Sequence, residues 1–370
     1  MLNSDFLTPF GHPLYLMAKP AGARCNLHCK YCYYISKRSF SCDEMDDSLL
    51  EEFIRQYLEA QTTKEVLFTW HGGEPLLRNR SFYEKALQLQ QKYACGRHID
   101  NCLQTNGTLL TDDWCRFFKE NHFLLGISID GPQSMHDYYR QRWHDVMRGI
   151  SLLNRHEVMW NAMATVNRIT SISPIVFYRF FRNLGCKYLQ FTPVVERTGW
   201  TSGVVTPWSV EPDQWGDFLC QVFDEWVPND VGDVFVQLFD ATLANWLGVE
   251  PSLCSMATLC GQVGVIEANG DVYSCDHFVF PEYCLGNIRQ HTITELMYGE
   301  RQRHFGLQKR DALSSKCRRC PWLFACHGEC PRNRFLPDNE NYLCAGYLRF
   351  FEHVAPTMDK LASEYHRLSL

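Results

Sequence analysis

Short apolar runs that end in glycine, asparagine, aspartate or proline recur six times in the first half of the chain: YLMAKP, VLFTWHGG, DNCLQTNG, FLLGISIDG, WNAMATVN and KYLQFTPV. Runs of this length with these boundaries predict β-strands. Between them lie longer stretches with apolar residues at three- and four-residue spacing, among them DDSLLEEFIRQYLEAQ, SFYEKALQLQQKYA and ISPIVFYRFFRNLG. Several begin after Asp or Ser, and all predict amphipathic helices. Strand and helix in alternation imply an α/β fold with a parallel sheet and right-handed crossovers, either open and doubly wound or curled into a partial or full barrel. In each case the chemistry belongs at the C-terminal ends of the strands. The polar motifs fall there: CNLHCKYCYY follows the first strand, HGGEP the second, QTNGT the third and SIDGP the fourth. Near residue 200 the alternation stops. TGWTSGVVTP then leads into helices expected around 211–228 and 234–247, followed by a cysteine-rich tail.

Composition narrows the class. With 370 residues, 45% hydrophobic, the chain can bury a large core. The N-terminus lacks a basic head, apolar run and cleavage site, and no run of about eighteen apolar residues occurs, so a soluble cytoplasmic protein is expected. A net charge of −6 with scattered basic residues predicts neither a nucleic-acid nor a membrane partner.

Eighteen cysteines are many for a reducing compartment, where disulfides are disfavoured and metal is the better use. Cys25, Cys29 and Cys32 form one group; Cys254, Cys260, Cys275, Cys317, Cys320, Cys326, Cys330 and Cys344 crowd the last third. A structural zinc wants four ligands, which the first group could reach only with a residue such as His28. An iron–sulfur cubane also takes four, but three thiolates suffice if one iron stays open to a ligand. The later eight would close two four-ligand sites, whether zinc or iron–sulfur. The remaining Cys42, Cys95, Cys102, Cys115, Cys186, Cys220 and Cys284 read as ordinary small residues.

The spacing C-x-x-x-C-x-x-C, with an aromatic before the last cysteine and a first strand ahead of it, resembles the radical S-adenosylmethionine superfamily. That resemblance implies a partial (β/α)6 barrel, with Cys25, Cys29 and Cys32 holding a 4Fe–4S cluster that binds and cleaves S-adenosylmethionine. It also implies cofactor contacts from Tyr31, through its main chain, and from Gly72, Gly73, Glu74, Ser128, Arg140 and Val195. The C-terminal pattern resembles the SPASM extension, which carries two auxiliary 4Fe–4S clusters. Carried over, Cys254, Cys260, Cys275 and Cys330 hold one, and Cys317, Cys320, Cys326 and Cys344 the other. The expected division is residues 1–230 for the radical domain and 231–370 for the extension and a C-terminal helix.

Over nearly the whole chain, CNLHCKYCYY, WHGGEP, QTNGT, SIDGP, LQFTPVVE, GDVYSCD, CRRCPWLFACHGECPRNRF and NYLCAGY resemble the anaerobic sulfatase-maturating enzymes. The resemblance implies oxidation of Cys or Ser, within C/S-x-A/P-x-R of a nascent sulfatase, to Cα-formylglycine. It makes Asp276 the proton acceptor and places Tyr34 and His71 at the peptide cavity; the electron donor would be a flavodoxin or ferredoxin. The alternative is a SPASM maturase forming thioether or carbon–carbon crosslinks in a ribosomal peptide. Only about 14 residues precede YLMAKP, too few for the peptide-clasping domain such maturases often carry, and this favours the sulfatase reading. A third class, a zinc-stabilised binding protein without catalysis, would be colourless.

Overall fold

A computed structural model describes residues 14–34, 44–199 and 202–368; Cys42 lies outside them. All six expected strands form: β1 (Tyr15–Ala18), β2 (Glu65–Trp70), β3 (His98–Thr105), β4 (Leu124–Ser128), β5 (Trp160–Val166) and β6 (Tyr188–Pro193). They pair in parallel and in sequence order. Between them run α1 (Asp47–Glu59), α2 (Arg80–Tyr93), α3 (Asp112–Glu120), α4 (Gln133–Tyr139), α5 (Trp143–Arg155) and α6 (Pro174–Asn183). Asp46, Asn79 and Thr111 cap α1, α2 and α3 by accepting from the backbone N–H three residues on. Ser173, at the start of α6, gives no such bond.

The chain beyond residue 230 extends this sheet at both edges. After α7 (Pro212–Asn229), the short β7 (Phe235–Val236) pairs with β6 and leads into α8 (Gln237–Trp246). β8 (Val263–Ile266) pairs in parallel with β1, and β9 (Asp271–Tyr273) and β10 (Cys284–Asn287) continue antiparallel from it. The result is one ten-stranded sheet, β10-β9-β8-β1-β2-β3-β4-β5-β6-β7, that does not close into a barrel. The chain then forms α9 (Ile293–Met297), α10 (Glu300–Asp311), the short α11 (Ser315–Arg318) and α12 (Leu323–Cys326), and a long α13 (Cys344–Leu368).

Burial follows the periods that defined the elements. β2 alternates exposed or half-buried with buried positions along EVLFTW, and its Phe68 and Trp70 pack against Phe53 and Tyr57 of α1. A second aromatic block, Phe177, Phe191, Trp215 and Phe218, joins α6, β6 and α7. Each such side chain contributes roughly 1.5–3 kcal/mol when fully buried.

Helix α13 crosses α7 at two glycines. A Cβ on Gly346 would sit 2.3 Å from the carbonyl oxygen of Pro212, and one on Gly216 would sit 2.9 Å from the Gly346 Cα. Backbone fills the space a side chain would need. Gly346→Ala is therefore expected to push the helices apart and lower stability by about 1–3 kcal/mol, read as an earlier urea-unfolding midpoint at unchanged slope.

Candidate active site

The loop after β1 carries the cysteine triplet, and the ends of the next two strands hold it in place. Gly73 donates its N–H to the carbonyl of Gly22 (2.9 Å) and Glu74 to that of Arg24 (2.8 Å). A Cβ on Gly73 would lie 2.0 Å from the Arg24 carbonyl oxygen, and Gly72, at φ +125°, would meet Gly22 and Lys19. The two glycines thus let β2 close on the backbone that leads to Cys25. Glu74 is fully buried; its carboxylate accepts from the N–H of Leu76 (2.9 Å), the Thr105 hydroxyl (2.8 Å) and the N–H of Asn106 (2.8 Å). Burial raises its pKa to about 7 despite those three bonds. From the QTNGT turn, Asn106 donates to Asn26 (2.8 Å) and reaches the Cys25 Sγ (3.8 Å), while Asn26 donates to Thr108 (2.9 Å).

The other side of the loop meets α4. Arg140 is buried, with Nε donating to the Tyr31 hydroxyl (2.8 Å) and to Asp130 (3.1 Å). Tyr31 also donates to Asp130, which accepts the N–H of Thr165 (2.8 Å). The carbonyl of Arg140 accepts from Cys29 (3.8 Å). Arg140 thereby braces the cysteine loop through both its side chain and its backbone. Ser128 accepts from Gln104 (2.9 Å) at the end of β4. Val195 lies in the main core, whereas its neighbour Val194 packs with Leu27, Cys29, Tyr31 and Tyr139 in a small separate cluster around the loop.

Lys19, the residue after β1, is the centre of a second group that sequence reading missed. Its fully buried ammonium pairs with Asp276, lies 3.6 Å from Glu267 and sits 3.5 Å above the Tyr34 ring centroid. Glu267 follows β8, whose register sets Ile266 level with Ala18, so the two strand ends deliver cation and anion side by side. Tyr34 donates to Glu267 (2.6 Å) and Tyr33 to Asp276. Burial raises the Asp276 pKa, but Lys19, with His71 and His277, more than offsets it and holds the carboxyl well below the usual range. His71 follows β2; its Nδ1 accepts from the N–H of Gly72 (2.7 Å), and burial lowers its pKa. Asp276, Tyr34 and His71 thus stand together around Lys19. The signal for Lys19 and Glu267 was a charged residue directly after an apolar run, in LMAK and GVIE.

The eight later cysteines fall into two sets. Burial raises the pKa of Cys275 and Cys330, and the nearby thiols of Cys254 and Cys260 add to it, which sets these four near one another. Cys317, Cys320, Cys326 and Cys344 line one cavity of about 300 Å³. Burial pushes Cys29 and Cys260 up to about 11, so these thiols stay protonated until a metal draws the proton off. Among the described residues, the His, Cys, Asp and Glu side chains whose ligand atoms all lie within 4.8 Å of one another are the exposed Glu65, His98 and Asp100. A tetrahedral zinc holds its sulfurs about 3.8 Å apart, at Zn–S distances of about 2.3 Å. No three of the described cysteine sulfurs lie within 4.8 Å of one another.

An incomplete parallel barrel with a thiol triplet after its first strand and eight further free thiols in the chain beyond it defines a radical S-adenosylmethionine enzyme with an iron–sulfur extension. The family profiles agree: residues 20–170 match the radical SAM superfamily and residues 260–321 an iron–sulfur cluster-binding domain. The chain is 54% identical to the serine-type anaerobic sulfatase-maturating enzyme of Bacteroides thetaiotaomicron, over 98% of this chain and 94% of that one. It is 32% identical to the cysteine-type enzyme of Clostridium perfringens, over 95% and 99%. The solved structure of native anSMEcpe with bound AdoMet and Cp18Cys peptide superposes with a TM-score of 0.88 at 32% identity, over 95% of this chain and all of that one. The chain belongs to the anaerobic sulfatase-maturating enzymes. No described helix is long and apolar enough to cross a membrane.

Two outcomes follow from this geometry. Lys19→Met strands two buried carboxylates and is expected to cost about 3–5 kcal/mol, measured by urea unfolding of the iron-loaded protein. Cys344→Ala should lower iron from about twelve to about eight atoms per chain while S-adenosylmethionine cleavage persists.

Proposed function

We propose that this enzyme oxidises a serine, and more slowly a cysteine, in the C/S-x-A/P-x-R motif of an unfolded sulfatase to Cα-formylglycine, with Asp276 as the base. The observation that carries this is the Tyr33–Asp276 hydrogen bond. It joins the residue after Cys32 to the residue after Cys275, so a carboxylate stands where the first cysteine site meets the first auxiliary one. Serine preference is supported by the 54% identity to a serine-type relative, against 32–34% for cysteine-type ones.

The residues divide as follows. Cys25, Cys29 and Cys32 hold the cluster that binds S-adenosylmethionine, with Tyr31, Gly72, Gly73, Ser128, Arg140 and Val195 around the cofactor. Glu74 contributes through its backbone, because its carboxylate already accepts three bonds. Cys254, Cys260, Cys275 and Cys330 hold one auxiliary cluster, and Cys317, Cys320, Cys326 and Cys344 the other. Bound there, these groups supply hydrogen-atom abstraction at the target Cβ and a sink for the remaining electron.

Asp276 takes the proton from the target heteroatom. Lys19 keeps it ionised beforehand, and Glu267 remains as the counter-charge of Lys19 once Asp276 is neutral. No buried cation is left bare during the cycle. Tyr33 orients the carboxylate, and His71 and Tyr34 border the peptide. A division near residue 230 separates the triplet from the eight later thiols, although the sheet is continuous across it. The free cysteines and oxygen-sensitive chemistry suit a cytoplasm under anaerobic growth, with a flavodoxin or ferredoxin as reductant.

Asp276→Asn tests the base. With full iron and undiminished 5′-deoxyadenosine, formylglycine in an S-x-P-x-R peptide should fall about 100-fold or more, followed anaerobically by mass spectrometry. An unchanged rate would remove Asp276 from the mechanism. With the unaltered enzyme, the serine peptide should be converted faster than its cysteine counterpart.

A further inference from the structure

Resting on the reading above, we propose that Lys309 is the counter-charge of the auxiliary cluster held by Cys254, Cys260, Cys275 and Cys330 and raises its reduction potential, so that this site takes the electron left by the substrate. Lys309 lies in the last turn of α10. The positions that this helix buries are Gln302, Gly306 and Lys309, one face at i, i+4 and i+7. None of the three carries an apolar side chain.

The face is built against the backbone around those cysteines. Gln302 donates to the carbonyls of Gly261 (2.9 Å) and Ser274 (3.0 Å), the sequence neighbours of Cys260 and Cys275. A Cβ on Gly306 would sit 2.5 Å from the carbonyl oxygen of Cys260, whose N–H donates to the Gly306 carbonyl (3.2 Å). Lys309 completes the row: its fully buried ammonium donates to the carbonyls of Cys254 (2.6 Å) and Ser255 (2.8 Å). Four bonds separate that Cys254 oxygen from the sulfur of the same residue, which places the charge within about 8 Å of the thiol. Arg334 fixes the end of the helix by donating to the Lys309 carbonyl (2.6 Å).

A buried ammonium needs an anion. Lys19 has two carboxylates, whereas among the described residues Lys309 bonds only carbonyls, so the negative charge it compensates is that of the thiolates. Burial raises the pKa of Cys254 and Cys260, and at both Lys309 is the foremost charge opposing it; Arg334 helps at Cys260, and the buried Glu329 acts the other way at both. At Cys326 and Cys344 of the other set the neighbouring charged side chains are instead Glu329, Lys316 and Glu340. Lys309 therefore distinguishes the two sites. In the oxidation of a serine, one hydrogen atom leaves the target Cβ, one proton passes from its hydroxyl to Asp276 and one electron passes to the auxiliary site, leaving the aldehyde. A fixed cation beside that site favours its reduced, more negative form.

The test is an anaerobic potentiometric titration of the iron-loaded enzyme followed by electron paramagnetic resonance, with Cys344→Ala identifying the other auxiliary signal by its loss. Lys309→Gln, which can still donate to a carbonyl, should lower the reduced-to-oxidised ratio of the Cys254 cluster about tenfold at a given potential. That is a shift of about 59 mV for one electron. The other two potentials should stay in place, and Lys309→Arg should restore the first. With an S-x-P-x-R peptide, Lys309→Gln should form less formylglycine per 5′-deoxyadenosine. An unchanged potential, an equal shift of all three clusters, or a shifted potential with that product ratio unchanged would overturn the inference. If the variant does not hold about twelve irons, Glu329→Gln decides. Asn333 and Asn341, which donate to Glu329 at 3.1 and 2.7 Å, can donate to the new amide oxygen, and loss of the anion should raise both auxiliary potentials, with no rise overturning the inference. Should the unaltered enzyme leave the peptide unoxidised, the proposed function fails, while the potentials still decide the part of Lys309.

Discussion

A lysine ammonium without water around it must find anions, and the position of Lys19 determines which segments have to meet. Its two carboxylates come from opposite ends of the cysteine-rich extension's first hairpin: Glu267 closes β8, and Asp276 follows β9. Its aromatic neighbour Tyr34 comes from the end of the cysteine loop. Removing Lys19 leaves two buried carboxylates without their cation, which costs far more than an exposed pair contributes. The parallel pairing of β1 with β8 is the backbone expression of the same constraint, since it brings Ala18 and Ile266 level and so sets Lys19 against Glu267. Through this one cation, the part of the chain that carries the triplet and the part that carries the base are held in a single register.

A different constraint, close backbone approach, governs the cysteine loop itself. Gly72 and Gly73 read from sequence as glycines that admit a cofactor, but the nearest atoms to their absent side chains are backbone of residues 22–24. Their first task is to let β2 clamp the loop. Glu74 extends that clamp to β3 by accepting from Thr105 and Asn106, and Asn106 passes it back to Asn26 and Cys25. The motifs HGGEP and QTNGT are therefore parts of one scaffold around the triplet, and Asp130, Arg140 and Tyr31 form its opposite side.

What could be read from the sequence was whatever is local. The six strands, the helices between them and the convergence of polar motifs at the strand ends follow from period and boundary residues and formed as expected, whereas of the Asp and Ser starts Asp46 caps α1 but Ser173 caps nothing and Asn79 caps α2. The grouping of the eight later thiols came through resemblance and not from spacing or period. The extension of the sheet by β7 and β8 to β10 was not legible: these strands are two to four residues long, and VGVI is too brief to announce a parallel partner nearly 250 residues away. Lys19 and Glu267 escaped for the same reason, as a charge after an apolar run reads as a solvated strand end until its non-local partner is known. The part of Arg140 in bracing Tyr31 likewise depends on Asp130, whose side-chain direction no spacing reveals.

The interleaving of the thiols links chemistry to folding. Cys326 and Cys330 are four residues apart yet are proposed as ligands of different clusters, and the stretch between them holds two non-glycine residues at positive φ, His327 and Glu329. Such conformations persist only where the surroundings impose them. Arg334 does part of this, its guanidinium donating to the carbonyls of residues 327, 328 and 329. Burial meanwhile raises the pKa of Cys275, Cys326 and Cys330, so the protein alone does not favour their thiolates. Ionising them requires the metal, and binding the metal requires this turn to be formed. The turn between Cys326 and Cys330 is therefore shared by the two proposed auxiliary sites, and Asp276, next to Cys275 in the chain, is placed beside Lys19 by the same extension.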